Sequence, residues 1–217
     1  MRTYDQYCGI AKALDVLGQR WTPLILRELL LGPRRYSELQ RALPGITTNL
    51  LAARIQHLEA EGLVAGGRRQ SDGRNAWSLT DLGEAARPAL LALGAFGSRW
   101  MKEIGDDHVS GRWFVVSLQR RYRGGAARSY EVGLEIDGEP FRLRLLPDGL
   151  ESWDGWPDEP DLVVRGSVSQ VVELIVGTGA GTGSGTGSAP DEFGLEVEGD
   201  LSVLSLLQAG VARLAGS

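Results

Sequence analysis

Cysteine is almost absent from this chain. Cys8 is the only one in 217 residues, so no intrachain disulfide and no multi-cysteine metal site can form. His57 and His108 are the only histidines, too few for a ligand cluster, and metal chemistry is not expected. No apolar run approaches the roughly 20 residues of a membrane span, and the opening MRTYDQYCGI lacks a signal-peptide pattern. A cytoplasmic protein with no membrane span is expected. No serine or cysteine nucleophile stands with an evident base, and the carboxylates scatter over strand exteriors and turns. Neither an enzyme nor a bound cofactor is indicated. The glycine-rich run GTGAGTGSGTGSA lacks the lysine of a phosphate-binding loop and reads as a spacer.

What is present divides in two. The net charge of −5 is the sum of +4 over residues 1–105 and −9 over residues 106–217. A basic module joined to an acidic one follows, and only the first favours phosphate. Within it, Arg35–Val64 reads as two short amphipathic helices separated by Leu43-Pro44-Gly45-Ile46, a turn that Pro and Gly force out of helical geometry. Leu51, Ile55 and Leu58 recur at helical spacing, whereas Thr48, Asn49, Ala53 and Gln56 fall opposite them, with Arg54 at the flank. A small polar face of this kind lets a helix approach base edges in a major groove. The same pattern also suits an ordinary helical hairpin.

The neighbouring segments bear on that choice. Thr22 reads as the cap of a buried helix with Pro23 at its first position, and Ser37 as the cap of the first helix of the pair. After Val64, two short strands flank Ser71-Asp72-Gly73, with Arg68, Arg69 and Arg74 at the tip. A basic hairpin behind a helix-turn-helix is the composition of a wing, since guanidinium forks hold phosphate or enter a minor groove; arginines that serve only solubility would look the same. Thr80 then caps a helix whose Leu82, Ala86, Leu90, Leu93, Phe96 and Trp100 form an apolar stripe, bent or split at Pro88. That stripe fits a dimer interface or packing against the C-terminal half.

Cys8, Leu14-Asp15-Val16-Leu17-Gly18, Arg20-Trp21-Thr22, Arg35-Tyr36-Ser37-Glu38-Leu39, Gly45-Ile46-Thr47, Glu61-Gly62-Leu63-Val64 and Ser78 to Gly83 occur in an order that resembles the HxlR-type winged helix-turn-helix regulators, which are MarR-like. The resemblance covers about residues 4–104. It implies a homodimer on a palindromic operator of double-stranded DNA, usually near its own or a neighbouring promoter. The residues read above as helix face and wing, Thr47, Thr48, Asn49, Ala53, Arg54, Arg68, Arg69 and Arg74, are then the expected contacts, and a repressor is expected over an activator. Two departures stand out: Gln19-Arg20 replaces a usual Gly-Lys, and Asn49 stands where a lysine is common. Cys8 occupies the place of a redox-sensing thiol in several members. Its own surroundings suggest a small buried hydrophobe instead.

In the second half, Trp113–Tyr122 suits a helix or a strand. Tyr130–Ile136 and Phe141–Leu145 alternate apolar with polar residues, and further short strands follow at Leu150–Trp153, Leu162–Val164 and Leu195–Gly199. Ser167 to Gln170 forms a capping box and Asp200 caps a closing helix. The expected fold class is α+β. A winged domain over residues 1–105 precedes a domain over 106–217 with a mainly antiparallel five-stranded sheet and helices on one face. The order of elements over about 108–215 is similar to sterol-carrier-protein-type domains, which implies an apolar cavity for a hydrophobic effector. Trp113, Phe114, Trp153, Trp156 and Phe193 are the candidates to line it. The functional expectation is a DNA-binding repressor; the alternative is a lipid carrier that uses the winged helix for dimerisation or protein contacts.

Overall fold

A computed structural model describes residues 3–69, 75–101, 108–177 and 195–211. The chain forms two compact units, Met1–Leu93 and Gly94–Ser217. They divide inside a helix, whereas the expected domains divide at 105/106.

The first unit opens with α1 (Gly9–Leu17) and α2 (Thr22–Leu29). Thr22 does not cap α2. Its amide bonds back to the Gln19 carbonyl in a tight turn, so the helix starts one residue early, and Trp21 takes the cap position in left-handed geometry (φ 80°). Thr22 itself is fully buried. Helix α3 (Tyr36–Ala42) likewise begins before Ser37. The Glu38 carboxylate accepts from the Arg35 amide at 2.7 Å, and this reach-back fixes Arg35 as the cap. Leu43-Pro44-Gly45 turns the chain with Gly45 at φ 90°, a conformation that costs glycine little. Helix α4 (Thr48–Ala60) follows, capped by Thr47, whose Oγ1 accepts from the Leu50 amide.

Strands β1 (Val64–Arg69) and β2 (Asn75–Leu79) pair antiparallel as a hairpin, and its expected Ser71-Asp72-Gly73 tip lies outside the described residues. The core beneath α4 unites Ile25, Leu26, Leu29, Leu39, Leu43, Leu51, Ile55 and Leu58. Pro88 splits the long apolar stripe. Helix α5 (Asp81–Glu84), capped by Thr80 Oγ1, is followed by α6 (Arg87–Gly97) and a short 3-10 turn at Ser98–Trp100. Pro88 falls in the first turn of α6, where a missing N–H costs nothing.

The second unit contains α7 (Gly111–Arg121), β3 (Tyr130–Ile136), β4 (Glu139–Leu145), β5 (Leu150–Asp154), β6 (Leu162–Gly166), α8 (Val168–Val176), β7 (Glu196–Gly199) and α9 (Leu201–Gly210). The segment at Trp113–Tyr122 that suited either state is helical. Strand order is β5-β4-β3-β6-β7; β3 runs parallel to β6 and the other three pairings are antiparallel. Val132, Leu134, Ile136, Phe141, Leu143, Leu145, Leu162 and Val164 are buried on one face. Helix α7 packs against β5, and α8 and α9 against β6. Gly111 brings α7 onto the Ile136 side chain, and Arg112 of α7 makes a bidentate pair with Asp154. The opposite face is polar: Glu131 accepts from Arg142 and Arg144, which hold its carboxyl below the usual range, and both arginines lie against the Trp153 ring.

Gly83 is required by packing, not by φ. A Cβ there would enter the Leu63 carbonyl oxygen where α5 meets the end of β1. Gly83→Ala is expected to cost about 2–4 kcal/mol of unfolding free energy, read by urea denaturation. An unchanged midpoint would contradict this contact.

Candidate nucleic-acid interface

Helix α4 separates its residues by period. Leu51, Ile55 and Leu58 are 0–3% exposed, whereas Thr47, Thr48, Asn49, Ala53 and Gln56 stand open to solvent. Arg54 lies half-buried between the two faces, with its Nε enclosed. The structure therefore brings Thr47, Thr48, Asn49 and Ala53 to one side at α4, together with Gln56 as the periodicity expected, and leaves Arg54 at the flank. On the hairpin, Arg68 and Arg69 pair through their backbones with Ala76 and Asn75. Their side chains, and all of Arg74, lie outside the described residues.

Four residues that hold this face escaped the reading of the sequence: Tyr36, Gln40, Glu59 and Trp77. Tyr36 Oη donates to the Thr48 carbonyl at 2.6 Å, tying α3 to the first turn of α4. Gln40 Nε2 donates to the Ile46 carbonyl at 2.7 Å and fixes the intervening turn. Trp77 of β2 donates its indole N–H to Glu59 Oε1 at 3.1 Å, and the Tyr36 ring meets it edge-on at 6.2 Å. Two backbone hydrogen bonds pair Trp77 with Arg34. Behind these, the buried Glu28 accepts from Arg27 and lies 3.9 Å from Arg34. Gly66 leaves room for the indole bond: a Cβ would stand 2.6 Å from Glu59 Oε1 and 2.9 Å from Trp77 Nε1. The sequence signal was available, since a tryptophan or tyrosine on a packed surface brings a polar atom that needs a partner.

Cys8 is exposed, at the cap position of α1, and makes no cap bond. The expectation of a buried hydrophobe fails because the residue sits in the extended segment that leads into the helix. The four aromatic candidates described in the second unit, Trp113, Phe114, Trp153 and Trp156, do not converge either. Register sets Ser152 opposite Leu143 and Trp153 opposite Arg142, so Trp153 falls on the polar face. Trp156 covers Gly133 on that same face, beside Arg165. Phe114 is buried in α7, Trp113 lies edge-on to His108 at 5.3 Å, and Phe193 is outside the described residues. Among the described residues no group of three His, Cys, Asp or Glu could hold a metal, and no helix is long and apolar enough to cross a membrane.

Residues 16–105 match the HxlR-like helix-turn-helix family. The HTH-type transcriptional regulator YvaP of Bacillus subtilis (strain 168) is 37% identical over 94 residues, covering 42% of this chain and 84% of that protein. YkvN, another such regulator from the same organism, is 34% identical over 114 residues, covering 52% of this chain and 94% of its own. The chain belongs to the HxlR-like helix-turn-helix family. Its relatives are transcriptional regulators, not enzymes. The family match ends at residue 105, so it does not extend over the five-stranded sheet.

The Trp77–Glu59 bond sets the β1–β2 hairpin against α4. Glu59→Leu is expected to weaken DNA binding about 10-fold and to lower the salt dependence as wing contacts loosen. Glu59→Gln, which has the same charge as the leucine variant and keeps an acceptor, should hold its affinity. Fluorescence anisotropy across a salt series separates them; equal slopes for the two variants would contradict the coupling.

Proposed function

We propose that this chain is a homodimeric transcriptional repressor that reads a palindromic operator and responds to a hydrophobic effector in its C-terminal unit. The observation that carries the DNA assignment is the open face of α4, from Thr47 and Thr48 through Asn49 and Ala53 to Gln56, fastened at both ends to its neighbours. These side chains are short. They admit the backbone deep into a major groove but offer few bidentate contacts. Arg54 and the wing arginines Arg68, Arg69 and Arg74 supply the phosphate contacts, and affinity depends on them more than on the helix.

Exposed apolar surface supports the dimer. Leu93, Phe96, Trp100 and Met101 are 55–74% exposed, and α6 has no buried residue. Phe96 and Trp100 already stack edge-to-face at 4.8 Å, which presents a preformed aromatic pair to a second copy. Surface of this kind on a monomer marks an interface. A twofold axis through it would set two α4 helices on half-sites one turn of DNA apart.

The five-stranded sheet with α7, α8 and α9 supports a sterol-carrier-protein-type domain as the effector module. Ligand contact falls to the helix side, near Trp113 and Phe114, because Trp153 and Trp156 occupy the polar face. The effector acts if it binds two dimer geometries with different affinity. Exposure leaves the Cys8 thiol open to oxidants, and comparing Cys8→Ser with wild type under peroxide tests a sensing role.

Gel shift on the protein's own promoter tests the assignment. The Arg68→Ala/Arg69→Ala/Arg74→Ala variant is expected to bind all sequences more weakly, with a salt slope smaller by about 3; unchanged affinity would remove the wing from the interface. Phe96→Glu/Trp100→Glu is expected to elute as a monomer by light scattering and to lose operator binding. A dimer in that variant would place the interface elsewhere.

A further inference from the structure

In the first unit the cations divide by whether a carboxylate answers them. Lys12 pairs with Asp15, Arg27 and Arg34 with Glu28, Arg35 with Glu38, and Arg87 with Glu84. Among the described side chains of that unit, Arg20, Arg41 and Arg54 have no carboxylate partner. All three border the helix-turn-helix. Arg54 flanks the open face of α4, and Arg41 stands in the last turn of α3, just before the Pro44-Gly45 turn. No Asp or Glu occurs in residues 39–58, so that stretch offers neither of them a counter-charge.

Trp21 brings Arg20 to the same turn. Its backbone is left-handed (φ 80°), a geometry that a bulky residue keeps only where its surroundings hold it. The ring packs on the core of the unit, and a Cβ on Gly45 would stand 3.8 Å from its Cη2, so the ring edge lies against the turn that leads into α4. The Arg20 guanidinium stands over this ring, 5.4 Å from its centroid, and both Arg20 and Arg41 are exposed. A guanidinium stacked on an indole keeps its N–H fork open, and the stack reduces the side-chain freedom lost when an anion binds. A solvated surface tolerates a lone arginine. It does not account for unpaired arginines gathered round one turn while the other described cations of the unit are paired. In a docked helix-turn-helix the segment before the recognition helix crosses the phosphate backbone, which supplies the missing negative charge.

We infer that Arg20, braced on Trp21, and Arg41 hold phosphates of the DNA backbone on the turn side of α4, so that the duplex is clamped there as well as at the wing. This rests on the DNA reading of α4 and adds two contacts that position the helix without reading sequence. Fluorescence anisotropy of the full chain over a salt series, on its promoter duplex and on an unrelated duplex of equal length, tests it with Arg20→Gln/Arg41→Gln. Arg123→Gln/Arg128→Gln, which removes the same charge from the second unit, is the control. The clamp variant should bind both duplexes about 10-fold more weakly, with a salt slope smaller by about 2. Its preference for the promoter and its Tm should stay unchanged, and the control should bind as wild type does. Wild-type affinity and slope in the clamp variant would overturn the clamp and leave the DNA reading standing. Equal weakening in the control would assign the effect to net charge, a loss confined to the promoter duplex would assign it to base contacts, and a lower Tm would make the arginines structural; each overturns the clamp. Wild-type protein that binds neither duplex would overturn the DNA reading and the clamp with it.

Discussion

The indole of Trp77 is the point on which the setting of the hairpin against α4 depends. Its backbone is paired with Arg34, its N–H is given to Glu59 on the last turns of α4, and its ring meets Tyr36, which holds the first turn through Thr48. Hairpin, α3 and both ends of α4 therefore share one anchor. A single hydrogen bond of this kind contributes only about 1 kcal/mol net. Its consequence is geometric: phosphate contacts from a wing count only when the wing is set relative to the helix that reads bases. The buried Glu28, shared by Arg27 and Arg34, holds the strand-like segment that Trp77 pairs with.

The two units solve charge differently. The first carries net positive charge and leaves its polar α4 face open, as a phosphate-seeking surface requires. The second is strongly acidic and ties Arg142, Arg144 and Arg165 to carboxylates across the outer sheet face, where Trp153 and Trp156 lie beneath guanidinium groups. An acidic module would be repelled by DNA, which suits a part that senses something other than nucleic acid.

Period made the recognition helix legible. Leu51, Ile55 and Leu58 against Thr48, Asn49, Ala53 and Gln56 is a helical pattern bounded by Pro44-Gly45 before and Gly62 after, and each of these residues falls on the face that pattern gives it. The helix starts were read one residue late at Thr22 and two at Ser37, because the decisive groups were a backbone turn from Gln19 and the reach-back of Glu38 to an arginine that cap preferences do not favour. The aromatic residues of the second unit were grouped by type, and type does not fix direction. Strand alternation sends Ser152 inward and Trp153 outward, and a register shift of one would have reversed them. The anchors Tyr36, Glu59 and Trp77 are separated in sequence, and their meeting is a product of the fold.

Hydroxyl-radical footprinting of the full chain on its promoter tests the central claim, that α4 and the wing form a fixed head presented twice by a dimer. Two protected patches about 34 Å apart and related by a dyad are the predicted result. A single patch, or protection that does not depend on sequence, would contradict it.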